Sequence, residues 1–90
     1  MAQPPIFDGD SLVPLYIQGA DYVTAQVASG KLAKGARLPS ERDLADQWGI
    51  AYQTVRRAMK ELRERGLVAS VIGKGTFVIG DSSQARSARP

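Results

Sequence analysis

Residues 38 to 65 read as two capped amphipathic helices joined by about three residues, and no other part of the chain restricts its fold as tightly. Pro39 holds Leu38 away from the α region, so no helix runs into this stretch from upstream. Ser40 suits an N-cap, and Asp43, three residues on, can reach back toward it as a shortened capping box, which predicts a helix starting at Glu41. Leu44, Ala45 and Trp48 then share one face, while Glu41, Asp43, Asp46 and Gln47 point largely elsewhere. Gly49 supplies the left-handed residue that stops the helix. A second helical pattern runs from about Tyr52 to Arg65. Val55, Met59 and Leu62 recur along it at i, i+4 and i+7, opposite a stripe of Gln53, Arg56, Arg57 and Lys60. A connection this short holds two helices at a steep angle, as in a helix-turn-helix. Alone, the cationic stripe reads more readily as an ordinary solvated helix surface.

The segment beyond the second helix changes the weight of that stripe. Leu67 to Ile72 is nearly continuous apolar and β-branched, Gly73-Lys74-Gly75 interrupts it, and Thr76-Phe77-Val78-Ile79 resumes it, the pattern of a β-hairpin. The two glycines permit positive φ at the tip and leave Lys74 projecting with few side chains around it. Such a tip fits a phosphate track or a minor groove; it also fits a tight turn that carries lysine for solubility. A nucleotide phosphate loop is excluded, because Val68 stands where that motif needs glycine, Gly75 where it needs Ser or Thr, and strand comes next where it needs helix. Upstream, a first helix from about Pro14 to Ser29 places Tyr16, Ala20, Val23 and Val27 at core spacing, with Gly30 at its end. Gly19 inside it costs up to about 1 kcal/mol relative to Ala unless close packing needs it. Ala36-Arg37-Leu38 is placed to cover the hairpin edge as a third strand.

With 90 residues and Pro-rich ends, the chain has room for one small domain, its core expected around Leu44, Trp48, Val55, Met59, Leu62, Leu67 and Phe77. Residues 1 to 11 read as a flexible N-terminus, and 80 to 90 as a flexible tail or linker in which Arg86 and Arg89 could add weak backbone contacts. A formal charge of +3, from 12 basic and 9 acidic residues, means that affinity for nucleic acid must come from where cations sit rather than from a large overall field. With no cysteine and no histidine, disulfides, thiolate or imidazole metal sites and His- or Cys-dependent triads are excluded. The carboxylates have sufficient roles in caps and surface charge. The expectation is therefore no enzyme, no cofactor and no metal. No apolar run reaches membrane-span length and the N-terminus shows no signal core, so a cytoplasmic, nucleoid-associated location is expected.

Taken in order, a leading helix opening on Pro14-Leu15-Tyr16-Ile17-Gln18, LPSERDLA, a short turn, QTVRRAMKELRERGL and GKGTFV resemble the DNA-binding domain of the GntR family of bacterial transcription regulators over residues 12 to 79. The resemblance implies a mainly α fold with a small β-hairpin: a winged helix-turn-helix of three helices and a two- or three-stranded antiparallel wing. It implies sequence-specific binding of double-stranded DNA, with the helix at about 52 to 65 in the major groove, wing tip 73 to 75 at the minor groove, and repression as the commoner outcome. Arg42 matches the family arginine that reaches the backbone or a nearby base. The other reading, an internal salt bridge, would put a cation against the helix dipole. Gln53 and Thr54 match first-turn positions that point at base edges, where Gln suits adenine and Thr offers a hydroxyl or a methyl. Arg56 matches an arginine at phosphate or guanine, and Gly73 and Lys74 match the wing tip.

Two departures fall where base reading is expected. Many relatives carry Ser or Thr followed by Arg where this chain has Ala51-Tyr52. Ala51 cannot cap the helix by its side chain, at a cost of order 1 kcal/mol unless water or phosphate takes the place. Tyr52 offers a phenol to a phosphate or a thymine methyl; the alternative is an aromatic covering the turn. The implied partner is a two-fold symmetric operator, with a homodimer formed on DNA or through a domain outside this chain. Members of the family usually continue into a ligand-binding or dimerising domain, so the chain reads as the isolated reader of a longer regulator or as a naturally short one. A different class of function is a winged-helix interaction module that docks an acidic protein through Tyr52, Arg56 and Arg57.

Overall fold

The computed structural model describes residues 5–81, and its elements track the local chemistry closely. Helix α1 spans Leu15–Ala28, α2 Glu41–Trp48 and α3 Tyr52–Glu64, and strands β1 (Val68–Val71) and β2 (Gly75–Val78) close the chain. The Ser40 hydroxyl accepts the Asp43 amide at 3.0 Å, which starts α2 where the cap predicts. Gly49 ends it at φ 67°. Helix α3 stops one residue short of the expected end, with Arg65 as its C-cap.

Helix α3 lies against both α1 and α2. Val55, Met59 and Leu62 bury between Ala20, Val23 and Val27 of α1 and Leu44 and Trp48 of α2. The strands pair antiparallel in the register Val68↔Val78, Ala69↔Phe77, Ser70↔Thr76, Val71↔Gly75. The free edge of β2 is covered as expected. Leu38 N–H donates to Thr76 O at 2.8 Å, Gly35 N–H to Val78 O at 2.7 Å, and Val78 N–H to Ala36 O at 2.8 Å. Arg37 thereby stands opposite Phe77 in an isolated bridge beside the two-stranded sheet.

Three expectations change. Phe77 is half-buried and Val78 takes its place in the core, because the pairing puts Val68 and Val78 on the inner face and Ala69 and Phe77 on the other. Tyr16 is likewise half-buried, at the rim of the α1 stripe rather than in the core. The packed unit also begins upstream of residue 12. Phe7 sets its ring 5.6 Å from that of Trp48, and Gln18 accepts the Asp8 amide and donates to the Asp8 carbonyl, each at 2.9 Å. Of the expected C-terminal tail, Gly80 is buried and donates to Leu67 O at 3.3 Å; Arg86 and Arg89 lie outside the described residues.

Gly19 now has a reason. A Cβ there would sit 2.9 Å from Cζ3 of Trp48, so a buried indole would have to shift to admit it. Gly19→Ala is expected to destabilise the domain by about 1–2 kcal/mol, since overpacking outweighs the gain in helix propensity of up to about 1 kcal/mol. Urea unfolding would measure it; a more stable variant would show that the indole moves freely.

Candidate nucleic-acid interface

The turn between α2 and α3 determines what their exposed ends present. Gly49 reverses the chain, and Ala51 comes two residues later in extended geometry at φ −62° and ψ 142°, with no side-chain cap. Its carbonyl accepts the amides of Thr54 at 3.0 Å and Val55 at 3.2 Å. The first amides of α3 are left with no side-chain acceptor at the helix end that attracts anions. Because the Ala51 backbone already has the conformation of a capping residue, Ala51→Ser is expected to stabilise the free domain by about 1 kcal/mol. Thermal unfolding would register a rise of about 4–8 °C, and an unchanged midpoint would mean that water satisfies those amides equally well.

Tyr52 and Arg42, from separate helices, meet here. The Arg42 guanidinium carbon lies 5.3 Å from the centre of the Tyr52 ring, a cation–π arrangement across the turn. The contact occupies a ring face of the phenol and holds the arginine beside the N-terminus of α3. Gln53 and Arg56 are exposed on the same helix, and Thr54 is half-buried. Arg57 has another engagement, its guanidinium 4.2 Å above the Tyr16 ring at the α1 flank.

Lys74 N–H closes the hairpin on Val71 O at 3.0 Å. Gly73 at φ 78° and Gly75 at φ 121° take up the backbone turning that other residues resist. Lys74 is exposed, and Ile72, which the sequence pattern assigned to the strand, lies in the turn fully exposed. Arg42, Tyr52, Gln53 and Arg56 therefore gather at the α2–α3 turn and the start of α3, while Gly73 and Lys74 form the separate tip of the hairpin.

Neither Arg65 nor Arg37 was marked as a site residue by the sequence pattern. Arg65, whose side chain is 8% exposed, bonds Asp21 and Glu61 at 2.9 Å each. It also donates to Thr24 Oγ1 at 2.9 Å, fastening the end of α3 to α1. Its charge is spent inside the fold. Arg37 is the opposite case, with its guanidinium lying outside the core against Gly75 of the hairpin. Continuing the expected third strand into register would have placed it there. Among the described residues no cluster of carboxylates could hold a metal ion, and no helix is long and apolar enough to cross a membrane.

The family model described as "Bacterial regulatory proteins, gntR family" matches residues 15–78. The chain is 44% identical over 70 residues to the HTH-type transcriptional regulator SmoD of Agrobacterium fabrum, covering 78% of this chain and 30% of that protein. It is 41% identical over 68 residues to the HTH-type transcriptional repressor NagR of Bacillus subtilis, covering 76% of this chain and 28% of that one. The chain thus spans less than a third of the length of these curated relatives. Among solved structures, the DNA-binding domain of AraR in complex with operator ORX1 superposes with a TM-score of 0.75 at 30% identity, over 87% of this chain and 99% of that one.

Proposed function

Because this chain belongs to the gntR family of bacterial regulatory proteins and carries that family's DNA-binding domain, we propose that it reads a specific operator as a transcriptional repressor. In this reading the first turn of α3 enters the major groove, with Gln53, Thr54 and Arg56 toward base edges and Tyr52 and Arg42 at the adjoining backbone. Gly73 and Lys74 lie at the minor groove. The observation that carries the reading is local. The uncapped start of α3 has Arg42 and Arg56 beside it, neither paired with a carboxylate among the described residues. A helix end with open amides and unpaired guanidinium groups is a site for phosphate and base edges. The repressor NagR and the operator complex of AraR support the outcome and the ligand. Two copies on a two-fold operator would set half-sites about one helical turn apart. Action on the bacterial nucleoid accompanies the same reading.

The test is fluorescence anisotropy with duplex from the chain's own upstream region against scrambled duplex of equal length, at two salt concentrations. Preference for the native duplex that survives the higher salt is the expected result. Equal binding erased by salt would reduce the reading to phosphate contact alone. Absence of binding even at low salt would turn attention to an acidic protein partner.

A further inference from the structure

We propose that Arg37 is an additional DNA-backbone contact, held by the wing between Lys74 and the start of α2. The inference rests on the proposed DNA binding and adds a residue to it. The position is set by the main chain, since the three hydrogen bonds of residues 35–38 to β2 fix Arg37 opposite Phe77. In antiparallel pairing, residue 37 then shares a sheet face with residues 77 and 75, and its side chain can run diagonally toward the tip. It does so. A Cβ at Gly75 would lie 2.8 Å from Arg37 Nε and 3.4 Å from Nη2, so the guanidinium rests on the bare glycine backbone next to Lys74.

Among the described residues no carboxylate pairs with this charge. Arg65 is neutralised by two carboxylates and Arg57 lies on an aromatic ring, but Arg37 forms no ion pair among the described residues. Glu41 lines the same groove, together with Ser40, Ser70 and Thr76, without pairing with it. Arginine loses much rotamer freedom when its guanidinium is fixed in place, and an unpaired one resting on a strand beside a lysine tip is preset for an external anion with two acceptor oxygens. A phosphate of the strand passing between α3 and the wing has that chemistry. Such a contact adds affinity without sequence preference, which sets it apart from Gln53 and Arg56.

The experiment compares the unaltered chain with Arg37→Gln and Arg37→Lys on native and scrambled duplexes from about 50 to 200 mM salt. We expect Arg37→Gln to weaken both duplexes alike, on the order of fivefold to tenfold, and to lower the slope of log K against log salt by about one; Arg37→Lys should restore the slope. Unchanged affinity overturns the proposal. Weaker binding with an unchanged slope also overturns it, because a residue that only props up the wing releases no counterion. Failure of the unaltered chain to bind any duplex removes the DNA reading itself, whereas normal binding by the unaltered chain with an inert Arg37→Gln removes only this contact.

Discussion

Replacing Arg56 by alanine is expected to reduce affinity for the specific duplex by about five- to 150-fold, the range for losing a base contact of about 1–3 kcal/mol, while leaving thermal stability unchanged. The two halves of that result have separate physical grounds. Arg56 is exposed and has no hydrogen-bond or ion-pair partner among the described residues, so truncating it strands no buried group. It sits one turn beyond the open start of α3 and is exposed where its neighbours Val55 and Met59 are buried, so its removal takes charge from the surface proposed to meet DNA. Anisotropy on native and scrambled duplexes would also separate its two candidate partners. A loss confined to the native duplex means a guanine, and an equal loss on both with a shallower salt slope means a phosphate. A lowered melting temperature with unchanged binding would contradict the role.

Trp48→Ala should do the reverse, acting on DNA binding only through the fold. The residue is 6% exposed, its ring stands 5.6 Å from that of Phe7 and 6.2 Å from that of Tyr22, and Gly19 of α1 is closed against the indole edge. Large-to-small changes of this type cost about 3–5 kcal/mol, against a total stability of about 5–15 kcal/mol for ordinary domains. The melting temperature should fall by more than about 12 °C, monitored by circular dichroism, and binding at physiological temperature should fall with it. A midpoint within a few degrees of the unaltered chain would mean that α1 and α2 are held together chiefly by something other than this side chain.

The helix limits were legible because they depend on neighbours in sequence: Ser40 caps three residues ahead, and Gly49 turns the chain where it stands. The third edge of the wing was legible for a different reason, since an open strand edge requires a cover. What the pattern missed depended on distance or on register. Arg65 finds Thr24 across 41 positions, and no local signal announces such a partner. Phe77 and Val78 are both good strand residues, and a slip of one exchanges which of them is buried. The candidate site divides in the same way. Arg42, Gln53 and Arg56 could be named from helical spacing, but the contact of Arg42 with the Tyr52 ring and the seating of Arg37 on Gly75 arise only once separate elements pack.

The single tryptophan of the chain is also its natural optical probe. Trp48 lies at the last position of α2, in the interior with α1, whereas the residues proposed to meet DNA occupy the start of α3 and the tip of the wing. Its emission will therefore shift when the domain opens and stay nearly constant when a duplex docks. One cuvette without an added label can thus distinguish a variant that has lost its fold from one that has lost only its ligand.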